Sequence, residues 1–537
     1  MIRTSRLFFP MCFVVVLYSC AIQVAPQGGE KDITPPVLQR VTPASGSLSF
    51  SGNTIEFEFD ENIQLKDIAA KLIVSPPLKD APIVKARKNK LVVTFDDTLR
   101  AATTYTFNFG DAIVDLNEGN PIPDLQYVLS TGTVIDSMQF SGRVLRAEDL
   151  QPEKAMFVML YPAASGDSAP MLERPLYFSR TNSSGRFTIT HLAEGTYRVF
   201  GLMDNNSNYL YDDPSERMAF ADKPITLPDS AMELLSFRSF GPASLIRSSA
   251  DGPGKIRFVF NQPFPDAAIT CLQSEQLHVE QTDYSPQRDS VTVWYSELTS
   301  DSAVFQVRAG EKVDTITLSL KKYEPKPGKK SNFQLQVAVL TGAGGSLSVQ
   351  QPLVITTDHP VRRIDNRFMA VYQDSVQLSD PLLFEANEGN MRFQATMNWT
   401  EEEQYRIQLL PGAFTDIFGL INDTLEQVVT IRPTTAFGTL NVLTSGWPAE
   451  KHVVLQLVDE KEAVYRRAES NGDTTAYFSF LQPGTFRLKL IDDRNANGRW
   501  DEGDYSQQLQ PEGVYYYDEK IPVRANWDVE IKWLYKK

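Results

Sequence analysis

The chain has 537 residues, of which 42% are hydrophobic and 22% charged, and its formal net charge is −15 with a pI near 5.0. This length predicts several domains. The acidic balance disfavours binding to nucleic acid, because an anionic surface repels the phosphate backbone.

The first predicted element is a secretory signal. Arg3 and Arg6 precede the apolar run 7–17, which is too short to span a bilayer as a helix. The run ends in Leu17-Tyr18-Ser19-Cys20, which resembles a bacterial lipobox, whose cysteine is diacylated and becomes the mature N-terminus. An ordinary signal peptide with an incidental cysteine is the alternative.

The resemblance implies a signal peptide over 1–19, a lipid on Cys20 and attachment to a membrane through that lipid. Ala21, rather than aspartate, follows the cysteine, and this favours the outer membrane. Whether the chain then faces the cell surface or the periplasm stays open. Residues 20–36 are rich in Gly, Pro and Gln, which predicts a flexible tether.

Cysteine usage predicts modules without disulfides. Cys12 belongs to the signal and Cys20 to the lipid site, so Cys271 is left alone in the mature chain. Each module must therefore be stable through its own hydrophobic core.

Alternation of apolar and polar residues dominates the body of the chain. In TIEFEFD (54–60), Ile55, Phe57 and Phe59 point one way and the acidic residues point the other. Similar runs are separated at short intervals by Gly, Asn, Asp and Pro, which is typical of antiparallel sandwiches. The predicted fold class is mainly β, with tandem antiparallel β-sandwich modules joined by short linkers.

Residues 37–134 carry a more specific resemblance. TPPVLQRVTPASGS, TIEFEFDENIQ, TTYTFNFGDAIVDLNEGN and YVLSTG are similar to a bacterial Ig-like domain of the type found in S-layer and surface proteins. Together with the preceding GGEKDITPP they resemble the N-terminal part of lipoproteins from Bacteroidetes-type bacteria. The resemblance implies fold and lineage and says little about activity.

A second type of module follows and is repeated at the C-terminus. FSGRVL (140–145), FVMLYP (157–162) and NSSGRFTITHLAEGTYRVFGLMD (182–204) are similar to the transthyretin-like, carboxypeptidase-regulatory sandwich. Four of its residues recur 289 positions later: Asn182, Gly195, Tyr197 and Asp204 match Asn471, Gly484, Phe486 and Asp493.

The segment 404–424 echoes 104–120, so that an Ig-like module precedes each transthyretin-like module; chance similarity between strands is the alternative for this echo. EPKPGKKSN (324–332) is a predicted linker. The predicted domains after the tether are an Ig-like domain at 37–134, a transthyretin-like sandwich at 135–235, a β-sandwich at 236–325, an Ig-like module at 326–435 and a C-terminal transthyretin-like sandwich at 436–537.

The loop DRNANGRWDEGD (493–504) has the spacing of a twelve-residue calcium loop, with oxygen donors at alternating positions and Gly498 at the sharp turn. It follows a strand rather than a helix, and its last position is the short Asp. A polar hairpin is therefore the alternative, and the better one. The candidate calcium ligands are Asp493, Asn495, Asn497, the Arg499 carbonyl, Asp501 and Asp504. The earlier copy keeps Asp204, Asn206, Asn208 and Asp212.

No catalytic motif is found. The four histidines, His191, His278, His359 and His452, lie far apart and fit no metal-ligand spacing, and no cofactor motif is present.

We expect a non-catalytic, lipid-anchored envelope protein that acts as a structural or protein-interaction scaffold. It could be an accessory subunit of an outer-membrane complex such as the barrel-assembly or secretion machinery, with a β-barrel or another envelope protein as partner. The alternative is a glycan-binding or adhesive surface lipoprotein, for which the aromatic stretch GVYYYDEKIPV (513–523) would stack on sugars.

Overall fold

The computed structural model describes residues 32–535 except 229–230, 265–266, 274, 325–332, 338–345, 381 and 388. The predicted signal peptide, Cys20, most of the tether and most of the linker lie outside the described residues. The chain divides into two compact units: the N-terminal part up to Ser137 together with His191–Ala193, and the remainder. The two described α-helices, α1 (Ile68–Lys71) and α2 (Ala169–Leu172), have four residues each, and no described helix is long and apolar enough to cross a membrane.

The prediction of a mainly β protein built from tandem antiparallel sandwiches is confirmed. We group the strands into five modules by the sheets that they share. Short 3-10 turns lie at Asn366–Phe368, Thr434–Ala436 and Tyr505–Gln507.

Module 1 consists of the sheets β1-β2-β6-β5 and β4-β7-β9 with the pair β3-β8. Its strands are β1 (Leu38–Thr42), β2 (Thr54–Phe59), β3 (Ile63–Leu65), β4 (Ile73–Ser75), β5 (Ile83–Arg87), β6 (Lys90–Thr94), β7 (Thr104–Asn108), β8 (Ile113–Asp115) and β9 (Gln126–Ser130).

The alternation of apolar and polar residues in β2 produces the buried face that the sequence predicts. Ile55, Phe57 and Phe59 are at most 1% exposed. The Phe57 ring packs edge-on against Phe109 and Tyr127, with centroids 5.3 and 5.4 Å away. The core of module 1 is thus an aromatic cluster between two sheets.

Module 2 has an eight-stranded sheet in the order β12-β11-β14-β15-β17-β10-β13, with β16 beside β14. Its strands are β10 (Met138–Arg146), β11 (Phe157–Pro162), β12 (Tyr177–Arg180), β13 (Arg186–Leu192), β14 (Thr196–Leu202), β15 (Arg217–Phe220), β16 (Ile225–Thr226) and β17 (Met232–Arg238).

Module 3 pairs β18-β19-β22-β21 with β20-β23-β24. Its strands are β18 (Leu245–Ala250), β19 (Lys255–Phe260), β20 (Ala268–Cys271), β21 (His278–Tyr284), β22 (Ser290–Ser296), β23 (Ser302–Ala309) and β24 (Lys312–Ser319).

Module 4 contains the sheets β25-β27-β32-β31 and β26-β35-β33-β29-β30 and the pair β28-β34. Its strands are β25 (Leu335–Val337), β26 (Ser346–Leu347), β27 (Leu353–Thr357), β28 (Val361–Ile364), β29 (Met369–Gln373), β30 (Val376–Gln377), β31 (Phe384–Ala386), β32 (Arg392–Ala395), β33 (Gln404–Leu409), β34 (Phe414–Asp416) and β35 (Leu425–Ile431).

Module 5 has the same strand succession as module 2, but its strands form two separate sheets, β39-β36-β43 and β38-β37-β40-β41, with β42 beside β40. Its strands are β36 (Gly438–Ser445), β37 (His452–Val458), β38 (Val464–Asn471), β39 (Thr475–Leu481), β40 (Gly484–Asp493), β41 (Gly513–Tyr516), β42 (Ile521–Val523) and β43 (Asp528–Leu534).

The first prediction concerns the core of module 1. Phe57→Ala is expected to lower the free energy of unfolding of the first unit by about 3–5 kcal/mol, because it leaves a cavity among buried rings. Unfolding of a multidomain chain is not two-state, so amide hydrogen exchange of module 1 peptides is the suitable measurement. Leu116→Ala, at a side chain 51% exposed, is the control, and equal effects of the two variants would contradict the packing described.

Candidate functional site

The polar loop of module 5 is closed by its own hydrogen bonds. Asp493, the last residue of β40, has a buried carboxylate. Its Oδ2 atom accepts from the Gly498 N–H at 2.7 Å and lies 2.9 Å from Nδ1 of His452, and its Oδ1 accepts from the Asn497 N–H at 3.1 Å. Gly498 has a φ of +75°, a conformation that other residues rarely adopt, which explains glycine at this turn.

Most of the candidate calcium ligands also bond to one another. Asp501 accepts from the side-chain amides of Asn495 and Asn497 at 2.6 and 2.7 Å, and Arg499 donates its backbone N–H to Asn497. Asp504 instead caps the next 3-10 turn.

In the part of the chain that the structure describes, no three His, Cys, Asp or Glu side chains are grouped so that they could hold a metal ion. Calcium at this loop stays a prediction.

The corresponding loop of module 2 has the same network. Asp204 accepts from the backbone N–H groups of Ser207 and Tyr209 at 2.6 and 2.9 Å, and Asp212 accepts from the side-chain amides of Asn206 and Asn208. Tyr209 stands where module 5 has glycine and has a φ of +63°.

A buried glutamate supports each loop, and sequence reasoning missed both. Glu512 accepts from the backbone N–H groups of Arg494 and Asp501 at 2.7 and 3.0 Å, and burial raises its pKa to about 7. Glu216 accepts from the Asn205 N–H at 2.9 Å in module 2. The two glutamates follow their loops at different spacings, so the constant offset of the repeat could not reveal them.

Two partly buried histidines pair with buried aspartates that are distant in sequence. Besides His452 and Asp493, Nδ1 of His359 lies 2.8 Å from Oδ2 of Asp416. The His359 ring packs among four aromatic rings where modules 3 and 4 meet: Trp294, Tyr323, Phe333 and Phe418. This enclosure suits a packing role.

The loop of module 5 docks on module 2. The next strand begins 13 residues after Asp204 in module 2 and 20 residues after Asp493 in module 5, so the later loop is seven residues longer. Its Tyr505 ring packs against Phe200 and Phe220 of module 2, with both centroids at 5.3 Å. The backbone N–H of Tyr505 donates to Oγ of Ser239 at 2.9 Å.

Glu502 accompanies Tyr505 in this contact. Its Oε2 atom accepts from the Arg238 N–H of module 2 at 2.9 Å. The pKa of Glu502 is raised to about 7, because burial and, to a smaller extent, the nearby Glu148 outweigh the opposing effects of this hydrogen bond and of the charges of Arg217 and Arg238.

An open groove of about 410 Å³ lies beside this contact. It runs between β41 and β43, the edge strands of the two sheets of module 5, with Leu150 of module 2 at its border. The other lining residues come from the predicted aromatic stretch and the last strand: Val514, Tyr515, Tyr516, Tyr517, Asp518, Trp533, Leu534 and Tyr535. Its volume lies within the usual range of ligand sites, and its lining mixes ring surface with hydroxyl groups and one carboxylate.

The rings of the groove are held in place by one another. Tyr517 packs edge-on against Trp533 with centroids 5.9 Å apart. Tyr535 stacks on Trp447 at 3.9 Å, and its hydroxyl lies 3.4 Å from that of Tyr515. Such mutual packing keeps the groove preformed.

Comparison with protein families identifies one domain. The family of bacterial Ig-like domains matches residues 32–133, so the resemblance of module 1 is confirmed. No curated protein matches the chain.

Solved structures match only weakly. Surface layer protein SbsC, domains 1–6, is 10% identical over 91% of this chain and 67% of its own, with a TM-score of 0.15. The Bacillus anthracis TIE protein is 11% identical over 95% and 76%, with a TM-score of 0.14. Bacteroides ovatus SGBP-B, in complex with a mixed-linkage heptasaccharide, is 10% identical over 71% and 93%, with a TM-score of 0.18. Such scores carry no argument about function.

The loop of module 5 yields a stability prediction. Asp493→Ala is expected to lower the free energy of unfolding by about 2–3 kcal/mol even in EDTA, because it leaves buried donors without an acceptor. Chemical denaturation followed by hydrogen exchange in module 5 would measure this, with the exposed Glu450→Ala as control. A rise in the wild-type Tm on adding calcium, absent in Asp501→Ala, would instead demonstrate a calcium site.

The docking contact yields a pH dependence. Because the pKa of Glu502 is higher in the folded chain, its protonated form favours docking; this stability is complete at low pH and is lost as the pH rises through about 7. Glu502→Gln is expected to reduce the fall in stability between pH 5.5 and 8.5 by about 2 kcal/mol. Chemical denaturation at both pH values, followed by hydrogen exchange in module 5, is the measurement, and the exposed Glu519→Gln should behave as wild type. In Glu502→Gln the stability still falls somewhat as the pH rises, because the pKa of Glu512 is also raised to about 7.

Proposed function

We propose that this chain is a non-catalytic binding protein of the cell envelope, and that its ligand binds in the groove of module 5. The groove carries the proposal, because it combines a preformed aromatic lining with a single charged side chain, Asp518. The arrangement suits recognition rather than proton transfer. A smaller open pocket of about 250 Å³ lies beside the His359–Asp416 pair, where Tyr323 and Phe418 line it. The polar loops are closed by their own hydrogen bonds.

Attachment to the envelope rests on the lipobox-like sequence that ends at Cys20 and on the bacterial Ig-like domain that follows it. The proposed location is the outer membrane, with the chain held by the lipid.

A carbohydrate is one ligand class that fits the groove. Tyr515, Tyr517 and Tyr535 present ring surface together with hydroxyl groups, and amphipathic rings of this kind suit the mixed apolar and polar faces of a sugar. In this version the chain is a glycan-binding or adhesive surface protein.

A protein partner is the other class, and the unpaired strand edges beside the groove favour it. In this version the chain is a scaffold, and the concrete form is an accessory subunit of an outer-membrane complex such as the barrel-assembly or secretion machinery. The partner would be an integral β-barrel or another envelope protein.

The fourth prediction tests the groove for both ligand classes. Tyr517→Ala is expected to abolish binding on a glycan array if the ligand is a carbohydrate. A photoreactive side chain at position 517 is expected to crosslink an integral barrel protein in intact cells if the ligand is a protein. The matched control is Tyr477, which is 66% exposed on β39 and lies outside the groove. A blank array together with no crosslink at position 517 would refute the proposed site.

A further inference from the structure

The two related modules differ at one strand pair. In module 2, β15 pairs antiparallel with β17, so that Met218 lies opposite Phe237. This pairing joins the halves of the module into one sheet. In module 5 the equivalent strands β41 and β43 do not pair, and no other described strand occupies the space between them. The groove lies in this gap.

The strand registers show that the groove replaces a strand pairing. Met218 lies opposite Leu202 of β14, just as Val514 lies opposite Ile491 of β40. Val514 therefore corresponds to Met218. It lines the groove, and Leu534 of β43 lines the groove with it.

The free edges of both strands face the gap. Within a strand the N–H and C=O groups of successive residues point to opposite sides. The Tyr535 N–H donates to the Ser445 carbonyl of β36, and the Tyr517 N–H donates to the Leu488 carbonyl of β40. Leu534 and the even-numbered residues of β43 therefore point their backbone groups away from β36, and Val514 and Tyr516 point theirs away from β40.

The side chains that line the groove indicate which peptide would bind there. Side chains of an added strand would alternate between the aromatic lining and solvent. Asp518 is the only charged side chain of the lining, and the whole chain carries −15. Charge complementarity therefore favours a peptide with a basic residue at this end of the groove.

We propose that an extended peptide segment of a partner protein adds to β41 and β43 as a further strand, with alternating apolar side chains in the aromatic groove and a basic side chain at Asp518. The proposal rests on the proposed function, since it names the ligand class of the same groove. The added strand would join the two sheets of module 5 into one continuous sheet, as the pairing of β15 with β17 does in module 2.

The test uses the full-length chain in detergent and a phage-displayed library of random nine-residue peptides. Selection is expected to enrich peptides with alternating apolar residues and a basic residue.

Leu534→Pro removes the N–H that faces the gap, whereas the matched control Leu534→Ala keeps it. Binding of the enriched peptides should fall about tenfold or more in Leu534→Pro relative to the control. Asp518→Asn should weaken it by up to about fivefold.

A measurement on the wild-type chain avoids the risk that Leu534→Pro loses binding because it does not fold. In the wild-type chain, the enriched peptide is expected to slow amide hydrogen exchange at Val514, Tyr516 and Leu534, since an added strand engages those N–H groups.

Failure to enrich any peptide, equal binding by the proline and alanine variants, or unchanged exchange would each overturn the added strand. If glycans bind and Tyr517→Ala abolishes that binding while no peptide is enriched, the proposed binding site stands and only the peptide inference fails. If neither class binds at the groove, both proposals fail.

Discussion

The contact of the Tyr505 loop with module 2 is the interaction on which the arrangement of the repeated modules depends. It joins two sandwiches that are about 300 residues apart in sequence, through rings that would otherwise be exposed. Beside it, Val514 of β41 packs with Leu150 of module 2, and both residues also line the groove. Strand β41 therefore takes part in the contact with module 2 and in the groove.

The absence of cross-links places the whole stability of each described module on its own core. Cys271 is half-buried and free, so no described disulfide holds the sheets together. Edge-to-face contacts between aromatic rings stabilise the cores; in module 1, Phe57 contacts Phe109 and Tyr127 in this way. Close-packed interiors of this kind resist deformation within each module.

The sequence predicted what depends on local pattern. Alternation identified β2 and its buried face, and the repeated Gly-turn residues identified modules 2 and 5 as related. It did not reveal the pairing of His359 with Asp416, because such contacts join residues far apart in the chain and leave no spacing signal. Nor did it reveal the docking role of Tyr505, since the match between the repeats ends at Asp501 and the seven additional residues have no counterpart to compare with.

The polar loop that resembles a calcium site illustrates why spacing alone is ambiguous. The same alternation of Asp and Asn that can surround a cation also lets the side chains accept from backbone N–H groups of a tight turn. In module 5 the loop is stabilised from outside by His452 and Glu512, which give its carboxylates and backbone groups partners without an ion. The loop can thus serve as a rigid base for the extension that carries Tyr505.

Modules 2 and 5 show how a groove can form without additional secondary structure. A free strand edge is a liability, because it can pair with any other chain. Module 2 removes that liability by pairing β15 with β17, whereas module 5 keeps two such edges facing one aromatic groove. Since both modules have the same strand succession, the fold does not require the gap. The aromatic groove of module 5 thus lies where module 2 has the pairing of β15 with β17.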